Sequence, residues 1–265
     1  MTVRRFGIAA AAGLLLLHSA PASAADAPMP SLAATAPVAA TGPDWAFAVH
    51  SYAWATSVDG TMRPLPPGPA VKVGLGFSDI LKNLDGAAML SVDVRRDRFV
   101  IFADLLMSKL SAGKSFSAQG LPGSITLSSS SVVGLAAAGW RVVDEPSVKL
   151  DVLGGLRGFA LSNTIAVAVG PLAGSYGLDR RWVDAVGGVR VTHALDDRWS
   201  VTAMGFAGAG GAKYEWDLFG GVGYRFGGRF TGFAGYRALK VDYRQGSYVY
   251  DVLQHGPILG TRLTF

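Results

Sequence analysis

"ILGTRLTF", residues 258–265, alternates without a break. Leu259, Thr261, Leu263 and Phe265 fall on one side of an extended chain, and Ile258, Gly260, Arg262 and Thr264 on the other. A period of two predicts a strand with two unlike faces. Soluble domains usually finish in a frayed polar tail. A terminal strand that stays apolar to its last residue needs a partner along its edge and an apolar surrounding for one face. The rest of the sequence has to supply both.

The other end supplies an address. Arg4 and Arg5 precede the apolar run "GIAAAAGLLLL", and "HSAPASA" follows, closing on Ala22-Ser23-Ala24. A basic start, a short apolar centre and a small-x-small close predict a secretory signal peptide over residues 1–24, cleaved after Ala24. The apolar run falls short of the roughly 20 residues a spanning helix needs. The Ala/Pro-rich stretch 25–44 has no hydrophobic period and reads as a disordered periplasmic linker. Losing Arg4 and Arg5 lowers the formal charge from +5 to 5 − 2 = +3, a balance that gives no argument for a nucleic-acid partner. With no cysteine anywhere, disulfides, thiolate metal sites and Cys nucleophiles are excluded.

Half of the residues are hydrophobic, 35 are Gly and 16% are charged, yet no apolar run beyond the leader is long enough for a spanning helix. That leaves an all-β soluble fold or a β-barrel in a membrane. From residue 45 onward one unit recurs: a β-rich run, a turn, a second run, a longer loop. Ten strands are predicted, with 8 or 12 as alternatives, near 45–56, 86–96, 98–109, 124–142, 148–161, 181–194, 199–210, 215–226, 229–242 and 248–265. "RRDR" (95–98), "DEPS" (144–147), "LDDR" (195–198) and "GG" (227–228) are tight turns of ordinary turn residues. The links between them, 57–85, 110–123, 162–180, 211–214 and 243–247, are longer. Short turns on one side and longer loops on the other are the arrangement of outer-membrane barrels, and an even strand number returns both chain ends to the short-turn, periplasmic side.

The faces separate barrel from sandwich. Along 199–207, Trp199, Val201, Ala203, Gly205 and Ala207 oppose Ser200, Thr202, Met204 and Phe206. Along 98–107, Phe99, Ile101, Ala103, Leu105 and Met107 oppose Arg98, Val100, Phe102 and Asp104. The polar face carries about one Arg or Asp per strand among small residues, too few charges to solvate an outer surface. The apolar faces therefore belong outside, in lipid, and closure of the last strand on the first satisfies every backbone group there. Trp45, Trp182, Trp199, Trp216, Phe230 and Phe265 mark strand ends, where interfacial aromatic girdles sit.

The terminal segment, with Gly260, Leu263 and the final Phe265, resembles the C-terminal signal that the barrel-assembly machinery reads in bacterial outer-membrane proteins. Residues 45–265 resemble the small OmpA/OmpX-like and porin-like outer-membrane β-barrels. "VKVGLGFSDILKNLDG" onward resembles uncharacterised proteobacterial barrels with a short helix before the second strand. The resemblance implies an all-β, transmembrane, antiparallel up-and-down barrel in the outer membrane of a Gram-negative bacterium. Its partners would be outer-membrane lipids and the assembly machinery, and both termini would be periplasmic.

Within such a barrel the alternation sends Asp93, Arg95, Asp104, Lys149, Asp151, Arg157, Asp184, Arg190, Asp217, Arg225, Arg237 and Arg262 into the lumen. Small barrels fill their interior with side chains, and a buried charge needs a partner or water. Two readings follow: an ion-pair network that plugs the barrel, or a narrow, weakly anion-favouring passage. In "GFSDILKNLDG" (76–86), Phe77, Ile80, Leu81 and Leu84 share a helical face, and Ser78 is placed to cap. A helix this short must pack on the rim, the lumen or the bilayer surface. "RPLPPGP" (63–69) reads as a stiff loop arm. His50 and His255 lie on the first and last strands, which closure makes neighbours, while His193 sits beside a short turn. No HExxH, Walker loop or GxSxG is present, and no metal or cofactor is expected. The expected role is structural or passive permeation through a narrow pore. The alternatives are a surface-adhesion barrel acting through its loops and an outer-membrane lipid-modifying enzyme.

Overall fold

The computed structural model describes residues 45–63, 68–118 and 121–265. The predicted leader (1–24), the linker (25–44) and Pro64, Pro66 and Pro67 of the loop arm lie outside the described residues. Twelve strands and one short helix follow in order: β1 (Trp45–Trp54), β2 (Ser57–Arg63), β3 (Val71–Leu75), α1 (Phe77–Lys82), β4 (Leu84–Arg96), β5 (Phe99–Ala118), β6 (Leu121–Asp144), β7 (Val148–Val169), β8 (Leu172–Ala194), β9 (Trp199–Gly210), β10 (Tyr214–Gly227), β11 (Phe230–Gln245) and β12 (Tyr248–Thr264). All pairs are antiparallel neighbours, and β1 pairs with both β4 and β12, closing a ring of ten strands. The opening segment is the seam: Ser51 faces Thr261, Tyr52 faces Gly260, and the Phe265 amide donates to the Phe47 carbonyl.

Closure follows from the pattern read above. Large apolar side chains of one parity face outward and stay exposed, among them Leu156, Val183, Leu218 and Leu259. The opposite parity is buried within the ring. Two of the tight turns use left-handed backbone, at Asp97 (φ 52°) between β4 and β5 and at Gly228 (φ 49°) between β10 and β11. At the short-turn end the outer aromatics touch one another: Trp199 with Tyr224 (4.9 Å between centroids), Tyr224 with Phe226 (5.0 Å) and Phe226 with Phe230 (5.7 Å). This is the girdle expected there.

Four expectations are corrected. The links 110–123 and 162–180 are largely strand: β5 to β8 run 20, 24, 22 and 23 residues, far beyond the roughly 9–11 that cross a bilayer. Their outer parts, such as "SITLSSSS" (124–131), keep the strand alternation but replace apolar residues with Ser and Thr, which suits a ladder wetted on both faces. The helix is six residues long, and its N-cap is Gly76 with no side-chain cap, so Ser78 does not cap it. Trp182 is no girdle residue. It is buried inside, stacked between Phe159 (4.7 Å) and Tyr243 (3.9 Å). His50 and His255 do not meet: His50 approaches Asp93 inside the ring, whereas His255 lies on the outer parity of β12 beside Tyr236 and Asp59.

Candidate functional site: a sealed lumen beneath an apolar chamber

The interior is layered. Nearest the short turns, Arg141 on β6 donates to Asp151 on β7 (Nε to Oδ1, 2.7 Å) and approaches Asp144 at 3.5 Å. Arg190 on β8 joins Asp151 (3.0 Å) to Asp93 on β4, and His50 Nε2 lies 3.0 Å from that same Asp93 without a hydrogen-bonding angle. Around this layer Arg95 is half-buried, and Arg225 and Arg262 are exposed at the mouth. Lys149 belongs to the turn region, 3.6 Å from Asp144.

The second layer crosses the barrel. Arg237 on β11 is held between Asp104 on β5 (2.8 Å) and Asp217 on β10 (2.7 Å), and its Nη1 donates to the Tyr52 hydroxyl (3.0 Å). Tyr52 in turn donates to Asp104 (2.6 Å). Arg157 on β7 reaches Asp217 at 2.8 Å and lies 3.6 Å from Glu215, too far for a hydrogen bond. Arg157 is 1% exposed and Asp217 2%, so water cannot substitute for these partners. Aromatic faces cover the guanidinium groups: Trp54 over Arg237 (5.2 Å), Phe206 over Arg157 (6.0 Å) and Phe102 over Arg190 (5.3 Å). Asp184 closes the far wall, accepting from Trp182 Nε1 (3.1 Å) and the Ala212 amide (2.7 Å).

Above this floor the lumen turns apolar. One side is filled by the Phe159–Trp182–Tyr243 stack with Tyr248 and Tyr250. The other holds a chamber of about 990 Å³, lined by Trp54, Val58, Met89, Leu106, Val133, Leu161 and Leu239 among others. A second void of about 90 Å³ lies between the two charged layers, bounded by Asp93, Phe102, Arg190 and Arg237. Tyr52, Arg237 and the residues around them are thus the partition between a small polar void and a large apolar one.

The wall of the chamber is open. Pairing of β1 with β4 ends at Ser51 opposite Leu90. Beyond that point the first strand breaks at Ala55–Thr56, where the Ala55 amide donates to the Pro257 carbonyl (2.9 Å), and continues as β2 along β12. A side chain at Gly256 would place its Cβ 2.0 Å from the Ala55 carbonyl oxygen, so glycine permits this close approach. β2 leads into β3, which pairs with β2 alone, while Leu84–Met89 of β4 pair only with β5. Among the described residues the far edge of β3 and the upper edge of β4 are therefore unpartnered, joined by α1, whose Phe77, Ile80 and Leu81 line the chamber. Outward-parity residues Ala53, Met107 and Leu259 line the same cavity as inward Met89 and Leu106, so it runs through the wall.

Sequence reasoning missed Arg141, the chamber and the window. The alternation that put Arg237 inside puts Arg141 there too, two residues after Gly139. The chamber has no linear motif, because strands distant in sequence line it.

No protein family's profile matches the chain, and no curated protein matches its sequence. Among solved structures, the outer membrane protease OmpT from Escherichia coli superposes with a TM-score of 0.58 at 11% identity, covering 84% of this chain and 97% of that one. The translocator domain of autotransporter NalP from Neisseria meningitidis reaches 0.46 at 16% identity (85% and 89% covered), and Ail of Yersinia pestis 0.34 at 13% (83% and 98%). At such identities a likeness speaks to fold alone, and the fold of this chain is that of an outer-membrane β-barrel.

Proposed function

We propose that the protein sits in the outer membrane of a Gram-negative bacterium, with both chain ends periplasmic, and holds an apolar molecule in its outer-half chamber. The observation that carries this reading is an apolar cavity of about 990 Å³ set on a floor of paired, buried charges. Ligand sites are concave, mostly apolar and roughly 300–1,000 Å³ in volume. The floor disfavours the narrow-pore reading, because an ion would have to displace Arg237 or Arg157 from partners that water does not reach. In this reading the barrel binds its ligand without turning it over.

The test is direct. An environment-sensitive naphthylamine probe is added to the purified barrel in amphipol, and planar bilayers are recorded in parallel. Saturable probe binding, weakened by Leu106→Asp, and electrically silent bilayers are expected. Absence of saturable binding, or discrete conductance steps from the unmodified barrel, refutes the reading.

A second reading, surface interaction, draws on one feature. β8 pairs with β9 only over Asp184–Ala194, and β5 with β4 only as far as Leu110. The outer parts of β5–β8 therefore form a four-stranded blade whose two edges have no strand partner among the described residues. It carries exposed Leu121, Leu172 and Tyr176. Free strand edges accept an added strand from a partner.

A further inference from the structure

We infer that the gap between β3 and β4 is a lateral port, and that its occupant is one hydrocarbon chain of an anionic phospholipid-type molecule from the surrounding outer leaflet. This rests on the chamber reading above. The lower sill of the port, Ser51 opposite Leu90, is six residues along the strand from Trp45 in the aromatic girdle. At about 3.3 Å per residue and a tilt near 40°, that is roughly 15 Å, close to the bilayer midplane. The port therefore opens upward from the midplane, at the depth of outer-leaflet chains.

Three observations commit it to a lipid chain. The cavity is continuous with the lipid-facing surface, since outward Ala53, Met107 and Leu259 and inward Met89 and Leu106 share it. Among the described residues the facing edges of β3 and β4 carry no strand pairing to each other, so the gap is a built part of the wall and its apolar lining sets what can enter. In place of that pairing stands α1, which buries none of its residues and leaves Leu81 54% exposed. A port built this way is held apart by its own chain segment, not by a missing strand. Around it stand three exposed lysines: Lys72 on β3, Lys82 on α1 and Lys109 on the outer parity of β5. Asp79 answers Lys82 at 4.0 Å, which leaves Lys72 and Lys109 for an anionic head. A chain inside the chamber and a phosphate at the rim match this division of apolar and cationic surface.

Benzoylphenylalanine is placed at Met89, inside the chamber, and separately at Leu156 on the outer belt. The barrel is reconstituted in vesicles of phosphatidylethanolamine with phosphatidylglycerol, or of phosphatidylethanolamine with phosphatidylcholine, and irradiated. Only folded, heat-modifiable protein is scored. An adduct of intact phospholipid mass is expected at both positions. Ala87→Trp, or Ala53→Trp should the first not fold, lowers the Met89 adduct by about tenfold and leaves the Leu156 adduct unchanged. Phosphatidylglycerol is favoured over phosphatidylcholine at Met89, and Lys72→Gln with Lys109→Gln removes that preference. Phospholipid adducts at Leu156 with none at Met89 overturn the inference, as does a Met89 adduct indifferent to both tryptophan substitutions. If the naphthylamine probe still binds in that case, the chamber reading stands and only lateral access falls. If the probe does not bind either, both fall.

Discussion

Arg237 is the residue on which a sealed barrel and a wet one differ most. Its guanidinium bonds Asp104, Asp217 and the Tyr52 hydroxyl, and the residue is 4% exposed. Arg237→Ala leaves Asp217 with Arg157, but it leaves Asp104 with Tyr52 alone. Breaking a buried pair by removing one partner costs about 3–5 kcal/mol, and Asp104, the less compensated acid, places this site within that range. Were the lumen filled with water, the loss would resemble that of an exposed pair, about 0–1 kcal/mol. Urea unfolding in lipid vesicles, followed by tryptophan fluorescence and run in both directions, measures the difference. Arg237→Met, which keeps most of the volume, separates charge loss from cavity formation, and adding Asp104→Asn to it should recover most of the stability. In planar bilayers Arg237→Ala alone should stay silent, because Arg190 and Arg141 still close the layer beneath. Arg237→Ala with Arg190→Ala joins the void of about 90 Å³ to the chamber above and should conduct. A loss of about 1 kcal/mol or less for Arg237→Ala refutes the plugged lumen.

Three further expectations follow from single positions. Gly256→Ala drives a Cβ into the Ala55 carbonyl at 2.0 Å, so it should displace the β1–β2 break and raise the rate of tryptic cleavage after Lys72 in β3; unchanged cleavage kinetics argue against the close approach. Asp196, in the turn between β8 and β9, accepts from the Trp199 and Arg198 amides, and these bonds hold its carboxyl below the usual carboxylate value. Its contribution is therefore full above an unfolded value of about 3.9 and is lost as pH falls through the lower folded value. A carboxyl titration by NMR that returns an ordinary or raised value contradicts this. Deleting Phe265 removes the amide bonded to the Phe47 carbonyl at the seam and the terminal aromatic proposed to be read during assembly; less heat-modifiable protein in the outer membrane is expected, and undiminished levels count against both roles.

The sequence by itself determined the ring. Strict alternation across "WSVTAMGFA" and "ILGTRLTF", too few charges for an aqueous surface and turn residues at regular intervals admit few other folds, because a period of two fixes which side chains share a face whatever the partner strand is. It also placed Arg157, Asp217 and Arg237 on the inner face. It could not say which acid each arginine meets. Arg237 is 133 residues from Asp104 and 20 from Asp217, and these meet only once closure and stagger bring β5 and β11 to opposite sides of one lumen. Trp182 went astray although its position on β8 has the parity of Asp184, which the alternation sent inward: nearness to a predicted strand end was read in place of its face, and the stack that buries it forms only where β7, β8 and β11 meet. The port lay furthest from view. It depends on β3 pairing with β2 rather than β4, a choice made by the break opposite Gly256-Pro257 and by a helix too short to form alone, so only the assembled sheet decides whether that stretch of wall is closed or open.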